Sequence, residues 1–376
     1  MPTMLDEQTV LRLQAIGLTP PMRARIESQV STAPDDDAGA PFLRRVTEVQ
    51  RDALTLHDGE HEQPARLLPA LSRASAADGS GVDPVAVGDW VFAHCNRHRE
   101  WWVQRRVPPL TLLARRLHDG RDKVTRTIIV SNVDTALLVM GLDHDFNLRR
   151  LERYLALVRL SGVAPLVVLT KADLCEPAFA ERRLHEVCAI LPPGVDALAL
   201  DARGAEVGDA LAPWLGRGQT LVVVGSSGAG KSTLTNALIG ERRQDTGASR
   251  AADGRGRHTT TARSLHVLPG GACIIDTPGL RTLRLDADAD ALAGVFDDIA
   301  RLASRCRFRD CGHGGEPGCA VREAAPPERL QNFQKLQREM RRDAMSALDR
   351  RAERSVWKVR SKASRARQRG ERGDPG

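Results

Sequence analysis

Aromatic side chains are scarce in this 376-residue sequence, in which Phe, Trp and Tyr together make up 3% of the residues. Aliphatic residues must therefore fill most of any core, and the 41% hydrophobic content is enough to form one. No apolar run is long enough to span a bilayer, so we expect no membrane partner. The first residues, MPTMLDEQTV, lack a basic-then-apolar leader pattern, so we expect a cytoplasmic protein rather than an exported one.

Cysteine is too sparse for a disulfide scaffold, because only seven residues are spread over a long chain. Their odd number fits a cytoplasmic protein with free thiols, and three of them lie close together. Acidic residues are fewer than basic ones: the sequence has 48 Asp and Glu and 55 Lys and Arg, which gives a net charge of +7. This charge indicates an anionic partner, for which nucleic acid is a better candidate than a membrane.

The hydrophobic pattern divides the chain into five segments. Residues 1–41 are weakly patterned, with at most a short amphipathic helix, and predict a flexible N-terminal arm. Short alternating strands in residues 42–120 predict a small β-barrel. Strands alternating with helices in residues 121–285 predict a parallel α/β sheet with helices on both faces. Residues 286–350 are predicted to be mostly helical, and residues 351–376 to form a basic tail.

One face of the barrel is a candidate surface for nucleic acid, because small five-stranded barrels often bind oligonucleotides there. Tryptophan rings can stack on bases, and arginines can contact phosphates. The candidate residues are Trp101, Trp102, Arg105, Arg106, Arg115 and Arg116. The alternative is that the tryptophans belong to the core and the arginines are solvated, since strand alternation buries one of the two tryptophans in any case.

The clearest motif is a glycine-rich loop that joins an apolar strand pattern to a helix beginning near Thr233. It fits G-x-x-x-x-G-K-[ST] with Gly225, Ser226, Ser227, Gly228, Ala229, Gly230, Lys231 and Ser232. Glycines let consecutive backbone N–H groups wrap a phosphate, and the helix N-terminus adds its positive dipole end. Lys231 is predicted to reach the terminal phosphates and Ser232 to bind Mg²⁺. A chance glycine turn before a helix is the alternative.

A second phosphate motif, DTPG, ends an apolar strand pattern further along the chain. Asp276 is predicted to hold Mg²⁺ directly or through water, and the N–H of Gly279 to contact a γ-phosphate. DTPG at a strand end is otherwise an ordinary turn. Its place downstream of the phosphate loop favours the functional interpretation.

Between the two phosphate motifs, residues 241–258 are predicted to form a mobile loop, which runs into the sequence GRHTTT. Thr260 is predicted to reach Mg²⁺ and the γ-phosphate when this loop orders. Ras-like enzymes carry a water-orienting glutamine where this chain has Leu280. Leucine cannot orient water, so we predict that His258 positions the attacking water. The alternative for His258 is packing or contact with an RNA phosphate.

A candidate base site precedes the phosphate loop. An apolar strand pattern ends in TKAD, whose residues are Thr170, Lys171, Ala172 and Asp173. A carboxylate at Asp173 can accept hydrogen bonds from the guanine N1–H and exocyclic amine, a donor pair that adenine lacks. The Lys171 stem can lie over the base, and Asp201-Ala202 is a candidate for the loop that backs it. A helix N-cap is the alternative for TKAD.

The order of these motifs differs from that of ordinary GTPases, in which the base motif follows both phosphate motifs. Strand positions need not follow chain order, so the sheet can still close. The reversed order is typical of a circular permutation. It makes the segment after DTPG lead directly into the C-terminal domain, so a loop that senses the γ-phosphate is predicted to be tied to a moving domain.

A cysteine-rich segment in the C-terminal part predicts a metal site. Three thiolates and one imidazole lie within a short span and suit a closed, tetrahedral zinc site. The predicted ligands are Cys306, Cys311, His313 and Cys319. The intervening glycines allow the chain to fold around a metal, and free buried cysteines are the alternative.

Together these motifs resemble the ribosome small-subunit-dependent GTPase A family of circularly permuted bacterial GTPases. The resemblance covers about residues 42–340 and rests on VGDWV, DFNLRRLERYL, TKAD, GSSGAGKS, GRHTTT, DTPG and CRFRDCGHGGEPGCAV. It implies an N-terminal OB-fold barrel, a central α/β circularly permuted P-loop GTPase domain and a C-terminal, mostly α, zinc-binding domain. The chain departs from the family at Thr170, where many GTPases have Asn, and at Asp201-Ala202, where serine is common.

The resemblance also implies a function. We expect a monomeric enzyme that hydrolyses Mg²⁺-bound GTP to GDP and phosphate, is stimulated by the small ribosomal subunit, and binds ribosomal RNA in late subunit maturation. The family pattern implies nucleotide contacts at residues 170–173 and 225–233 and one structural Zn²⁺. Two other functions stay open: a GTP-gated RNA-binding scaffold with negligible hydrolysis, and an ATP-using enzyme in which Asp173 has no role.

Overall fold

The first part of the chain forms a closed β-barrel. The computed structural model describes residues 6–30, 41–50, 53–69, 71, 84–118, 124–240, 263–277, 292 and 294–344. The barrel strands are β1 (Phe42–Gln50), β2 (Ala53–His57), β3 (Glu62–Leu67), β4 (Trp90–Cys95) and β5 (Trp101–Arg106). They pair in the order β1-β2-β3-β5-β4, and β4 returns to β1, so the five strands close. The barrel predicted from the sequence is confirmed, although its short strand β2 was not predicted.

Two helices precede the barrel, and they correct the expectation of a flexible arm for residues 6–30. They are α1 (Glu7–Gln14) and α2 (Pro20–Val30). The Asp6 side chain caps α1 by accepting the Thr9 N–H at 2.7 Å. Apolar residues of this segment, among them Leu13 and Ile26, pack against the buried rings of Trp90 and Phe92. The helices are ordered because they cover the outer apolar face of the barrel, a partner that local sequence does not reveal.

A buried arginine joins three parts of the fold. Arg45 of β1 is fully buried, and its guanidinium donates to the carbonyl of Ile16 and, at 3.1 Å, to the carbonyl of Asn132. It also lies over the Trp90 ring, 5.4 Å from the centroid. Both terminal nitrogens of this buried cation are thus hydrogen-bonded to backbone carbonyls, so Arg45 links the N-terminal helices, the barrel and the start of the next sheet.

The central part is an α/β unit. A two-stranded ribbon, β6 (Leu112–His118) and β7 (Val124–Ser131), leads into it. Its sheet strands are β8 (Thr135–Gly141), β9 (Ala164–Thr170), β10 (Asp196–Ala199), β11 (Thr220–Gly225), β12 (Ser264–Val267) and β13 (Cys273–Asp276). Its helices are α3 (Leu148–Leu160), α4 (Pro177–Cys188), α5 (Val207–Leu211) and α6 (Lys231–Ile239). The sheet order is β10-β9-β8-β11-β13-β12, and all neighbours are parallel except β12 and β13.

Alternate residues of the strands pack on opposite faces of this sheet. Leu138 and Val224 belong to the core that includes α3 and α4, whereas Leu137 and Val223 belong to the core that includes α5 and α6. Both faces are therefore covered, which confirms the parallel sheet predicted from the alternation of strands and helices. The strands β9, β11 and β13 end at the same edge, and each carries one predicted nucleotide motif at its carboxyl end.

The barrel and the central sheet are hydrogen-bonded to each other. Strand β1 pairs with β12 at Glu48 and Ser264, so the two parts form one sheet of 11 strands. This pairing was not expected, because the sequence pattern treats residues 42–120 and 121–285 as separate domains. The nucleotide edge and the barrel are consequently joined by backbone hydrogen bonds as well as by the covalent chain.

Within residues 294–344 the regular structure is helical. The helices are α7 (Asp297–Ala303), α8 (Ala320–Ala324) and α9 (Pro327–Ala344). Phe296 and Phe333 pack edge to face with centroids 5.3 Å apart. In the portion of the chain that the structure covers, no helix combines the length and the apolar character needed to cross a membrane.

A buried ion pair fastens these helices to the central sheet. Glu152 of α3 is 3% exposed and accepts hydrogen bonds from Arg329 and Asn332 of α9. Arg329 also donates to both carboxylate oxygens of Asp298 at 2.6 and 2.8 Å. Burial raises the pKa of Glu152, although the hydrogen bond from Asn332 and the charge of Arg329 oppose that rise.

We expect Arg329→Met to lower the free energy of unfolding by about 3 kcal/mol at pH 8, because it leaves Glu152 buried without its cation. A carboxyl whose folded pKa is raised contributes stability that is complete below its unfolded pKa and is lost as the pH rises through the folded pKa. Removal of Arg329 raises that folded pKa further, so the cost should be smaller at pH 5.5. Urea unfolding at both pH values measures this.

The matched control is Arg153→Met, which removes another ion pair between α3 and α9. Arg153 lies 2.7 Å from Glu339, but both side chains are about a quarter exposed. Its loss should cost no more than about 1 kcal/mol. Equal costs for the two variants, or a cost for Arg329→Met that does not change with pH, would contradict the buried-charge explanation.

Candidate functional site

The structure brings the base motif and the phosphate loop into direct contact. Thr170 ends β9 and is fully buried, and its hydroxyl donates to the carbonyl of Ala229 at 2.6 Å. Gly230 lies against the same side chain, since a Cβ there would be 3.0 Å from Thr170 Oγ1. Thr170, which departs from the family pattern, thus hydrogen-bonds to the phosphate loop and packs against it. Two motifs 59 residues apart form one site.

The phosphate loop has the backbone geometry needed to bind an anion. Strand β11 is buried throughout and ends at Gly225, and α6 begins at Lys231. Gly228 and Gly230 have φ values of 83° and 91°, in the left-handed region that favours glycine. Lys231 Nζ donates to the carbonyl of Ser226, so its ammonium lies across the loop. A loop of this type at a helix N-terminus can hold a phosphate.

The second phosphate motif lies next to this loop. Asp276 ends β13, whose residues pair in parallel with those of β11. The following residue, Thr277, donates its hydroxyl to the carbonyl of Val223 at 2.9 Å. The carboxylate of Asp276 is thereby placed at the same edge of the sheet as the phosphate loop.

Several predicted residues fall outside the residues that the structure describes. They are His258, Thr260, Gly279 and Leu280. Their assignments to the attacking water, to Mg²⁺ and to the γ-phosphate stay predictions.

At the base end of the site, Lys171 and Asp173 follow β9. Lys171 has a left-handed φ of 65°, and its Nζ lies 2.7 Å from Asp143 Oδ2. Burial opposes ionisation of Asp143, but the hydrogen bonds from Lys171 and from the Asp145 N–H hold the pKa of its carboxyl below the usual value. Asp173 lies 3.5 Å from the exposed guanidinium of Arg203. Asp173 is exposed despite this ion pair, so its carboxylate is accessible to a ligand.

The candidate base-backing loop also lies at this end. The Ala172 N–H donates to the carbonyl of Leu200 at 3.3 Å, which holds TKAD against the end of β10. Asp201 Oδ1 accepts the Arg203 N–H at 2.8 Å, and Ala202 is buried. The loop after β10 therefore borders the predicted base site.

Sequence reasoning assigned no role to two carboxylates at this edge, Asp143 and Asp145. Both follow the carboxyl end of β8, which lies between β9 and β11. Residues after parallel strands converge at one edge, so an acidic cluster after the strand pattern of residues 135–140 was an available signal. Asp145 accepts the hydroxyl of Ser226 from the phosphate loop.

A cluster of three thiols and one imidazole forms a second site. The ligand atoms of Cys306, Cys311, His313 and Cys319 all lie within 4.8 Å of one another. Cys319 Sγ lies 3.4 Å from His313 Nδ1 and 4.0 Å from Cys306 Sγ. A tetrahedral zinc with Zn–S bonds of about 2.3 Å separates its ligands by roughly 3.5–3.8 Å. The cluster can hold a metal ion, as predicted from the sequence, and its geometry fits zinc.

Hydrogen bonds hold the loop around the cluster in place. The carboxylate of Glu316 accepts backbone N–H groups of Gly312, Gly314 and Gly315 at 2.8–3.0 Å, and the N–H groups that surround it lower its pKa to about 2. Gln334 of α9 donates to the carbonyl of His313 at 2.8 Å. Burial lowers the pKa of His313, which favours the neutral imidazole that coordinates metals.

The proposed nucleic-acid face of the barrel is partly used by the fold itself. Arg106 pairs with the fully buried Asp89 at 2.7 Å, and Arg105 donates to the carbonyl of Gln29 and lies over the Phe92 ring. The half-buried Trp101 packs edge to face with Phe42, which is 51% exposed, and Arg44 lies over both rings. Trp102 is also half-buried, and the side chains of Arg115 and Arg116 lie beyond the described set.

Known proteins resemble this chain over most of its length. A family model described as RsgA GTPase matches residues 111–286. A protein of Xanthomonas axonopodis pv. citri (strain 306), named small ribosomal subunit biogenesis GTPase RsgA, is 40% identical over 361 residues, which cover 94% of each chain. A protein of the same name from Xylella fastidiosa (strain M23) is 45% identical over 306 residues, which cover 79% of this chain and 87% of that one.

Two solved structures share the fold. The crystal structure of YjeQ from Thermotoga maritima has a TM-score of 0.57 at 22% identity and covers 79% of this chain and 98% of its own. The structure of YloQ, which is described as a circularly permuted GTPase, has a TM-score of 0.53 at 21% identity and covers 83% of this chain and 99% of its own. At these identities the likeness establishes the fold alone.

Proposed function

The chain belongs to the RsgA GTPase family, and on that premise we propose that its sheet-edge site binds Mg²⁺–GTP and hydrolyses it to GDP and phosphate. It is a GTPase of small ribosomal subunit biogenesis, as its relatives are named. The contact between Thr170 and Ala229 carries the proposal for the site, because it joins the base motif to the phosphate loop. One bound nucleotide can then contact both motifs.

The proposed roles of the residues follow from their positions. The backbone N–H groups of residues 225–233 and the ammonium of Lys231 hold the phosphates. Asp173 accepts the guanine N1–H and amine, and the Lys171 stem lies along the base. Such pairing gives guanine an advantage over adenine, which lacks the matching donors.

The Mg²⁺ site in this proposal is made by hydroxyls and a carboxylate. Ser232 follows the phosphate-binding lysine, and Asp276 ends the neighbouring strand, so both oxygen ligands of the type that Mg²⁺ prefers belong to the same edge of the sheet. Thr260 completes this set when its loop orders, and the Gly279 N–H contacts the γ-phosphate. Mg²⁺ supplies charge neutralisation to the phosphates, and His258 orients the attacking water.

The other parts of the chain are proposed to bind ribosomal RNA. In the sequence, the GTPase domain at residues 121–285 is preceded by an OB-fold domain over residues 42–120. It is followed by a zinc-binding helical domain over residues 286–350 and a basic tail over residues 351–376. The net charge of +7 supports an RNA partner, because phosphate contacts dominate such binding. We propose that RNA contact orders residues 256–261 and completes the site in a monomeric, cytoplasmic protein.

The test is GTP turnover of the full-length protein with and without purified small ribosomal subunits. We expect subunits to raise turnover of the wild type. We also expect His258→Ala to lower the stimulated rate about a hundredfold, because a water-positioning group acts on the chemical step. GTP affinity of His258→Ala, measured in parallel, should stay near that of the wild type. Normal affinity together with normal turnover would show that His258 has no catalytic role.

A second function is favoured by one observation, the Leu280 that replaces a water-orienting glutamine. Without such a group the protein can act as a GTP-gated RNA-binding scaffold whose hydrolysis is negligible. The same titration separates the two functions, since a scaffold shows GTP-dependent binding to subunits but no rise in turnover at saturating subunit concentration.

A further inference from the structure

We propose that Asp145 is a positioning residue for the phosphate loop, which it holds through Ser226 and connects to α3 through Arg150. This inference rests on the nucleotide site proposed above and adds a residue to which the motifs assign no role. Asp145 lies in the turn between β8 and α3, at the edge of the sheet where the phosphate loop begins. Its side chain is ionisable, yet it is only 7% exposed. Burial of a carboxylate is costly unless hydrogen bonds and a cation compensate it.

The carboxylate of Asp145 joins three elements. Its Oδ1 accepts the hydroxyl of Ser226 and, at 2.6 Å, a guanidinium N–H of Arg150 from the first turn of α3. Its Oδ2 accepts the N–H of Gly141 at 3.1 Å, at the end of β8. Arg150 also donates to the backbone carbonyl of Asp145. Hydrogen bonds from β8 and α3 thus set the position of the carboxylate. From that position it also accepts the Ser226 hydroxyl of the phosphate loop.

This contact holds Ser226, the residue that follows Gly225 in the phosphate loop. Ser226 is held on two sides, because its carbonyl accepts from Lys231 and its hydroxyl donates to Asp145. The orientation of the Ser226 peptide sets the direction in which the next N–H groups of the loop point. A loop whose N–H groups already converge pays less ordering entropy when a phosphate binds.

Charge balance explains why a carboxylate is tolerated beside a phosphate site. An unpaired Asp145 would repel the phosphates, since like charges a few ångströms apart disfavour each other. Arg150 lies against the same oxygen that accepts from Ser226, so the pair is neutral as a unit. Asp145 therefore holds the loop without an electrostatic penalty on the nucleotide.

The test is a double-mutant cycle read out as GDP affinity of the full-length protein by titration calorimetry with Mg²⁺ present. Asp145→Ala and Ser226→Ala are each expected to weaken GDP binding about tenfold, as for one charge-assisted hydrogen bond. The double variant should bind about as weakly as either single variant, because both changes remove the same contact. Asp145→Asn retains an oxygen that accepts from Ser226 and should recover part of the affinity.

Asp89→Ala is the matched control, because Asp89 is also a buried carboxylate that pairs with an arginine and accepts a backbone N–H. It lies in the barrel, so it should destabilise the protein but leave GDP affinity within about twofold. The proposal is overturned if Asp145→Ala binds GDP like the wild type, if the two changes are additive, or if Asp89→Ala weakens GDP binding equally. Lys231→Ala distinguishes failure of the Asp145 proposal from failure of the nucleotide site on which it rests. Undiminished GDP binding in Lys231→Ala would refute the nucleotide site itself.

Discussion

Cys319→Ser is expected to abolish zinc binding and to unfold the helices of residues 294–344. Cys319 is buried and caps the N-terminus of α8, and its sulfur lies within contact distance of Cys306 and His313. Serine is a poor zinc ligand, and the binding free energy of a structural zinc, roughly 10 kcal/mol, is folding free energy that the variant loses. The measurements are metal content by mass spectrometry and hydrogen exchange across the three C-terminal helices.

Cys188→Ser is the control for this prediction, because Cys188 is an exposed free thiol at the end of α4. It should keep one zinc per chain and wild-type protection of the C-terminal helices. A Cys319→Ser variant that keeps both its metal and its protected helices would show that the cluster is a set of free thiols. Chelation of the wild type should reproduce the variant, and this identifies the loss as that of the metal rather than of the sulfur.

Asp173→Asn is expected to weaken GTP binding about a hundredfold, because two hydrogen bonds from guanine to a charged acceptor are lost or reversed. Xanthosine triphosphate has a carbonyl where guanine has its amine, so the new amide can donate to it and affinity should return. Competition of labelled GTP by unlabelled GTP, xanthosine triphosphate and ATP measures the preference. ATP should not displace GTP from the wild type.

The exposed Asp196, at the opposite end of β10 from the base loop, provides the matched control. Asp196→Asn changes the net charge by the same amount and should leave nucleotide preference unaltered. If ATP displaces GTP from the wild type as well as GTP itself does, or if Asp173→Asn keeps full GTP affinity, the chain does not select guanine through Asp173.

The sequence predicted those parts of the site whose residues are neighbours in the chain. The phosphate loop is eight consecutive residues between a strand and a helix, and the four metal ligands lie within residues 306–319, so spacing alone identified them. The alternating patterns of the barrel and of the parallel sheet predicted their architecture for the same reason. Hydrophobic periodicity and motif spacing within a short segment largely determine the local structure of that segment.

Contacts between distant residues were not predictable in this way. Asp145 and Ser226 are separated by 81 residues, and they meet because β8 and β11 are neighbours in the sheet. The N-terminal helices pack against Trp90 and Phe92 of the barrel, which follow them by sixty residues or more. The pairing of β1 with β12 likewise depends on strand order, which no single stretch of sequence encodes.

The buried Arg45 has a consequence for the order in which the protein matures during its own synthesis. Its guanidinium needs the carbonyl of Asn132, which is added 87 residues later, or roughly ten seconds at typical elongation rates. Until Asn132 has been added to the chain, this hydrogen bond of the Arg45 guanidinium cannot form. We therefore expect packing of the N-terminal helices on the barrel to be completed only after the segment that begins the GTPase sheet has been translated.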